Sequence, residues 1–527
     1  MYPSRDRAMI KRTPAVVVCC ALAVSVSVLV VPAASAGTVT CGGQVPTITG
    51  THDPDDLTGT SGPDVIAALA GHDVITGLGG DDIICGGRGV DQIDAGGGDD
   101  YVWGGADGSF DHREGDWIEG GNGDDHLSGG NDPSETGGVE NHEDIVVYEN
   151  AVRGIVIDLD QPAVTGQGLD TIDGFYSVVG SSHADRITAG AETDLVRGLG
   201  GGDRITVNSN EGEVFGGEGA DLLLHGFGVY GGRGDDEIRG ALQYATGGAG
   251  RDRMVGTEQS DNYYGARGED SLEGRSGRDF LDGGDGGDLV DGGTGKDWLL
   301  GGSDFDHLKA GRGDDLIEPD GPGGAKTLSD DLVVGARGSD MVSYANAYVA
   351  RGVHVDLNSG FAHGAGRDAL RDVENARGTV FADVLLGNAQ SNTLIGDKGN
   401  DELTGHRGRD AFMPDDTEDD FAKPGNDTIR GGRARDLVSY EFAAGSGGVT
   451  ADLRAGTVSG RGEDALESIE QMKGTIASDT LLGDSRNNRL WGVGGDDKLR
   501  GRGGSDLAVG GDGSDDCSAE TTRTCEP

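Results

Sequence analysis

Between residues 247 and 318 an apolar or aromatic side chain returns at every ninth position, while the residues before it are small or acidic. Read in nines, the stretch is GGAGRDRMV, GTEQSDNYY, GARGEDSLE, GRSGRDFLD, GGDGGDLVD, GGTGKDWLL, GGSDFDHLK and AGRGDDLIE. Small residues open each copy, glycine usually stands fourth, aspartate sixth and the apolar residue eighth. The three residues after the aspartate alternate about the apolar one, which predicts a three-residue strand with its eighth side chain on a core. The glycines predict turns that use positive φ and close backbone approach, with carbonyl oxygens directed inward. Turn, strand, turn, strand makes one coil of two copies, and stacked coils pair their strands in parallel.

The same phase recurs along the chain. A first array starts at Gly59 with GTSGPDVIA, slips over residues 104–119 and recovers at GGNGDDHLS from Gly120. A second begins at Gly180 in weaker copies such as GSSHADRIT and runs into the central block; later arrays cover residues 378–413 and 474–518. Between them a longer motif occurs three times, from Asp144, Asp340 and Asp436, sharing Tyr148, Tyr344 and Tyr440, then Asp158-Leu159, Asp356-Leu357 and Asp452-Leu453, and finally Asp170, Asp368 and Asp464. Alternation in IVIDL and VHVDL predicts strands, and the glycines after them turns. Two acidic inserts, residues 319–334 and 414–423, lack periodicity and are expected to be surface loops.

The chain thus divides into a leader (1–36), a cap (37–58), a first array (59–131), a first long unit (132–179) and a second array (180–318). An acidic loop (319–339), a second long unit (340–377), a third array (378–413), a loop with one repeat (414–435), a third long unit (436–473), a fourth array (474–518) and a tail (519–527) complete it.

Stacking has an electrostatic cost. Equivalent aspartates would recur about every 4.8 Å, the strand spacing, where two bare carboxylates repel by roughly 3 kcal/mol at an effective dielectric near 20. One buried aliphatic side chain per copy gains only about 1.5 to 3 kcal/mol, and ordering each residue's backbone costs about 1 to 2 kcal/mol. The bare stack is not expected to hold. A hard divalent cation reverses the balance, because carboxylate and carbonyl oxygens are what calcium takes in six- to eight-fold coordination. A disordered acidic segment would have no reason to keep phase.

The GGxGxDxUx pattern resembles the RTX, or haemolysin-type calcium-binding repeat, proteins. The resemblance implies an all-β fold, a parallel β-roll or β-helix solenoid with the long units as wider coils, and calcium ions held between the turns of copies i and i+2. On that pairing the central block would take about six ions. The sixth-position aspartates are the implied metal ligands: Asp64, Asp73, Asp82, Asp91, Asp100 and Asp125 in the first array, then Asp203, Asp221 and Asp236. The central block supplies Asp252, Asp261, Asp270, Asp279, Asp288, Asp297, Asp306 and Asp315, and the later arrays Asp383, Asp401, Asp410, Asp479, Asp497, Asp506 and Asp515. Where Gly212, Asn392 or Asn488 stands sixth, a charge is lost and a weaker or missing site is expected.

Composition agrees with a solenoid. Glycine contributes 101 of 527 residues and aromatics 5%, which argues against one large globular core. A net charge of -51 disfavours nucleic acid as a partner and favours cations. At the N-terminus Arg5, Arg7, Lys11 and Arg12 precede an apolar run over 15–31 and then Ala34-Ser35-Ala36, a secretory leader expected to be cleaved after Ala36. No later stretch approaches the length of a membrane span. The four cysteines beyond the leader allow three connectivities; Cys41 with Cys85 and Cys517 with Cys525 is the expected one, pinning each end of the stack. A zinc site is the weaker reading, since no CxxC accompanies them.

No GxSxG elbow is present, and His142-Glu143 is followed by Val146 where a second metal-binding histidine would stand, so lipase and metalloprotease chemistry is not expected. The N-terminal leader and the lack of an apolar pore-forming region depart from the lytic relatives. The reading is a secreted, non-enzymatic, calcium-binding roll of structural or adhesive role, which folds on meeting extracellular calcium and has cell-surface or matrix polysaccharide as a candidate partner. The alternative is an extracellular polysaccharide epimerase or lyase with its candidate residues, Tyr344, His354 and Asp356, in the long units. Thr450 in the place of His354 argues against it.

Overall fold

The computed structural model describes residues 39–106, 115–130, 144–321, 328–347, 349–415, 424–442 and 447–525. The chain separates into Met1–Val39 and Thr40–Pro527, and the strands described all lie in the second unit. The leader expected over residues 1–36 lies outside the described residues.

The described residues form strands and turns with no helix. Successive nonapeptides alternate between two parallel sheets. In the central block Phe280–Asp285 and Trp298–Ser303 belong to one sheet, Leu289–Gly295 and His307–Arg312 to the other. Phe280 pairs with Trp298 and Leu289 with His307, so each strand meets the one two copies on. The chain is the parallel β-roll that the period of nine predicts.

The eighth position builds the core. Leu272, Leu281, Val290, Leu299, Leu308 and Ile317 are all buried, and most of the residues flanking them are at least partly exposed, as alternation requires, with Leu300 and Glu318 buried as exceptions. Tyr263 occupies an eighth position as well. It pairs across the sheet with the small Ala245, and its hydroxyl donates to the Ala241 carbonyl at 3.1 Å. The two shortened units before the central block keep the strands in register by pairing 15 residues apart, as in Leu222 with Glu237, instead of 18.

The three long units take a form the sequence did not specify. After Met341–Ser343 the chain forms His354–Asp356, Phe361–His363 and Arg367–Arg371, an antiparallel meander. Its last strand pairs in parallel with Leu332–Arg337, which precedes it, and its first with Val384–Leu386, which comes after it. Three rungs enter one sheet while the other gains the single strand Asn375–Arg377. The units from Asp144 and Asp436 repeat the arrangement. The expected extra width is therefore two additional strands on one side of the roll.

The ends are pinned as expected. Disulfides join Cys41 to Cys85, beside the first coils, and Cys517 to Cys525, at the last. The acidic inserts are not purely surface loops: Asp320, Asp331, Val333 and Asp415 are buried, and Leu332–Arg337 is a strand. The burial of these carboxylates inside the stack overrides their polarity.

Candidate metal centre

Each nonapeptide turn places its sixth residue immediately before a strand, with the side chain folded back under its own turn. All 24 aspartates proposed from the sequence are buried. They form two rows, one along each edge of the roll. The repeating contact is a hydrogen bond from the backbone N–H of one aspartate to Oδ1 of the aspartate one coil on. Asp270 donates to Asp288 and Asp288 to Asp306, both at 2.8 Å; on the other edge Asp261 donates to Asp279 at 3.0 Å and Asp297 to Asp315 at 2.8 Å.

One row holds Asp73, Asp91, Asp261, Asp279, Asp297, Asp315, Asp410 and Asp506. The other holds Asp64, Asp82, Asp100, Asp125, Asp203, Asp221, Asp236, Asp252, Asp270, Asp288, Asp306, Asp383, Asp401, Asp479, Asp497 and Asp515. The same contact recruits members that sequence reasoning missed: Asp55, Asp116, Asp144, Asp170, Asp185, Asp331, Asp340, Asp368, Asp427, Asp436 and Asp464. For Asp340 the signal was present, since GARGSD places it sixth in a copy the long motif had absorbed. The signal was present for others as well: Asp331 and Asp427 stand nine residues before Asp340 and Asp436, and HGAGRDALR and SGRGEDALE place Asp368 and Asp464 sixth in nonapeptide-like stretches.

Two kinds of turn occur along these rows, and the second residue decides between them. Where it is Thr60, Ser181, Thr257, Thr379 or Thr475, its backbone N–H donates to Oδ2 of the sixth residue at 2.6–2.8 Å, and its hydroxyl also bonds that carboxylate. The carboxylates of Asp64, Asp185, Asp261, Asp383 and Asp479 are satisfied by their own turns; Asp64 is held below its ordinary pKa, first by the Thr60 N–H. Asn392 and Asn488, where a lost charge was expected, are capped likewise by the N–H groups of Asn388 and Asp484. Each of these residues begins a run within its row.

In the other turns the second residue has positive φ, as in Gly284 (φ 105°), Gly293 (φ 97°), Gly302 (φ 116°) and even Arg275 (φ 73°). This rotates its N–H away from the carboxylate; that of Gly302 donates instead to the Pro319 carbonyl at 3.0 Å. The Oδ2 atoms of Asp279, Asp288, Asp297 and Asp306 are consequently buried with no hydrogen-bond partner among the described residues. The same holds for Asp73, Asp82, Asp100, Asp125, Asp203, Asp221, Asp236, Asp252, Asp270, Asp315, Asp401, Asp410, Asp497, Asp506 and Asp515.

Carbonyl oxygens complete the surroundings. A Cβ on Gly295 would lie 1.5 Å from the Gly277 oxygen, and one on Gly313 1.4 Å from the Gly295 oxygen. These fourth-position carbonyls therefore point along the stack at the next turn, and no Cβ fits at Gly295 or Gly313. Burial and the neighbouring carboxylates push Asp279 up to about 7, Asp288 to about 8 and Asp306 to about 9. A buried carboxylate oxygen without a partner costs free energy that folding does not tolerate in such numbers. Anionic oxygens beside backbone carbonyls are the donor set of a hard cation, and they fit calcium.

Of the residues of the alternative enzyme reading, His354 and Asp356 share the strand His354–Asp356, whereas Tyr344 is engaged elsewhere. Tyr344 is buried and its hydroxyl donates to Asp368 Oδ2 at 2.5 Å. His354 faces solvent, and Asp356 Oδ1 caps the hairpin by accepting the N–H groups of Asn358 and Ser359.

The family model of the RTX calcium-binding nonapeptide repeat, in four copies, matches residues 58–93, 86–110, 114–132, 178–209, 244–272, 255–290, 264–299, 291–321, 377–412, 421–440, 474–508 and 482–517. No curated protein matches the chain. The matched segments span more than half of the sequence and contain all of the aspartates proposed from the sequence except Asp221 and Asp236, so the chain belongs to the RTX calcium-binding repeat family.

Proposed function

We propose that this is a secreted, non-enzymatic calcium-binding β-roll that folds when its aspartate rows bind extracellular calcium, and that its role is structural or adhesive. The observation that carries the reading is the repeated Oδ2 atom, buried and without a protein partner among the described residues, in the turns whose second residue has positive φ. These turns are the ones proposed to hold ions. The self-capped turns at Asp64, Asp261, Asp383 and Asp479 are proposed to start each run and to contribute less to binding.

Linkage supports coupling of folding to binding. A site that exists only in the folded roll adds about 2.7 kcal/mol when calcium is a hundredfold above its dissociation constant, which is close to the roughly 3 kcal/mol of repulsion between two neighbouring carboxylates. Extracellular modules bind in roughly the millimolar to tenth-millimolar range. Secretion is supported by the basic, apolar and small-residue order of residues 1–36 and by the two disulfides. Far-UV circular dichroism of the chain without its leader, in chelator and in calcium, tests the proposal: β structure is expected only with calcium, and equal β content in both would end it.

A further inference from the structure

The two acidic inserts carry a feature that the nonapeptide rows do not account for. In each, a Pro-Asp pair comes directly after a strand: Pro319-Asp320 after Leu316–Glu318, and Pro414-Asp415 after Ala411–Met413. Neither aspartate is a sixth-position residue, yet both are more than nine-tenths buried, with exposures of 5% and 7%.

In the third long unit Asp415, Asp427 and Asp464 each bring a carboxylate oxygen within 4.8 Å of the others. Asp415 Oδ1 accepts the Gly425 N–H at 2.8 Å, and Asp427 Oδ1 accepts that of Asp401 at 2.8 Å. Their second oxygens are buried and without a partner among the described residues. Asp464 is held from both sides: Oδ1 accepts the Asp427 N–H at 2.9 Å, and Oδ2 accepts the Tyr440 hydroxyl at 2.6 Å. The nearby charge of Arg461 acts on Asp415 and on Asp479, leaving the trio with an excess of negative charge.

The second long unit holds Asp320, Asp331 and Asp368, with Tyr344 in the place of Tyr440, in a looser form: the Ser329 hydroxyl bonds both oxygens of Asp331, and among the described residues only the trio of the third unit brings its carboxylate oxygens within 4.8 Å of one another. Asp320 Oδ2 is again buried without a partner among the described residues, and the Asp331 charge adds to burial in raising the pKa of both Asp320 and Asp368. Ala365 stands where Arg461 does, so here no guanidinium from that position offsets the charge. The first long unit offers an internal contrast. It pairs Tyr148 with Asp170, but Gly120-Gly121 comes after its preceding strand, so the third carboxylate is missing.

We propose that Asp415, Asp427 and Asp464, and in looser form Asp320, Asp331 and Asp368, form two pockets for a hard divalent cation in which a carboxylate from outside the rows, Asp415 or Asp320, joins two row members where the acidic inserts fold inward. Three carboxylates and no nitrogen or sulfur donor select calcium or a similarly hard ion. The tyrosine hydroxyl is a positioning group that fixes the carboxylate of Asp464 or Asp368.

Calcium binding to the full chain is measured by equilibrium dialysis for wild type, Asp320→Asn, Asp415→Asn and the double variant. Asparagine keeps the oxygen that accepts the Gly425 or Ser329 N–H and removes only the charge. Each single variant is expected to lose one ion per chain and the double variant two, with β content in calcium retained. Unchanged stoichiometry in variants that bind calcium elsewhere would overturn these pockets and leave the proposed function standing, whereas a wild type that binds no calcium overturns both. A second readout does not depend on the asparagine variants folding: terbium bound to wild type and excited through tyrosine should lose sensitised emission in Tyr440→Phe and in Tyr344→Phe, and equal emission would again overturn the pockets.

Discussion

The backbone N–H of Asp279 donates to Oδ1 of Asp297 at 3.0 Å, so two carboxylates 18 residues apart in the chain lie one coil apart in the same row. Burial raises the pKa of Asp279 and the charge of Asp297 raises it further, and the other oxygen of each is buried without a partner among the described residues. One contact thus shows both how the roll stacks and why it needs a counter-charge.

Removing a single charge in the middle of a row separates these effects. Asp288→Asn retains an oxygen for the Asp270 N–H and eliminates the orphaned anionic one. The variant is expected to bind less calcium and to lose about 2.7 kcal/mol of calcium-dependent stability at a hundredfold excess of the ion. In chelator it should be no less ordered than wild type. Thermal melts under both conditions check this.

Acid should partly replace calcium. In the metal-free roll burial raises Asp297 to about 6, Asp288 to about 8, and Asp306 and Asp401 to about 9, whereas an unfolded aspartate titrates near about 3.9. A carboxyl raised on folding binds its proton more tightly in the folded state, so its stabilising contribution is complete below about pH 4 and is lost as pH rises through the folded values, from about 6 to about 9. In chelator the β signal is therefore expected to grow from pH 9 towards pH 4, and calcium affinity to weaken over the same range as protons compete. A chelated β signal that fell on acidification would contradict this.

At particular fourth positions glycine is required by the stack and not by the turn alone, although Asp304 and Ala434 fill that place elsewhere with φ of 73° and 102°. Gly89 has φ of 117°, and a Cβ there would lie 1.7 Å from the Gly71 oxygen; Gly62, at the same place in a self-capped first turn, has nothing within 4 Å. Gly89→Ala is expected to cost at least about 1–3 kcal/mol, and Gly62→Ala to stay within about 0.5 kcal/mol of wild type. Melting in calcium compares them.

The Cys41–Cys85 disulfide closes a loop of sequence separation 44. Replacing both cysteines by serine is expected to cost about 4 kcal/mol by the chain-entropy estimate. The loss should concentrate in the first coils, where amide hydrogen exchange would report it.

Period nine and an apolar eighth residue make the roll, its parallel pairing and the burial of Asp252 through Asp315 readable from the sequence, because each copy touches only its neighbours and local pattern is nearly the whole of the fold. The same is true of the cysteine pairs, which lie where the stack ends. It is not true of Asp320 and Asp415, whose polar, aperiodic surroundings predict surface residues.

Periodicity alone thus settled the architecture and the two acidic edges of this chain. Folding in three dimensions settled which carboxylates are left unsatisfied: the φ of the second turn residue separates capped Asp261 from orphaned Asp279. It also settled that the long units reverse into antiparallel meanders and that Asp415 meets Asp427 and Asp464. Those outcomes depend on backbone direction and on contacts between residues up to 49 positions apart (Asp415 to Asp464), about which a repeat of nine carries no information.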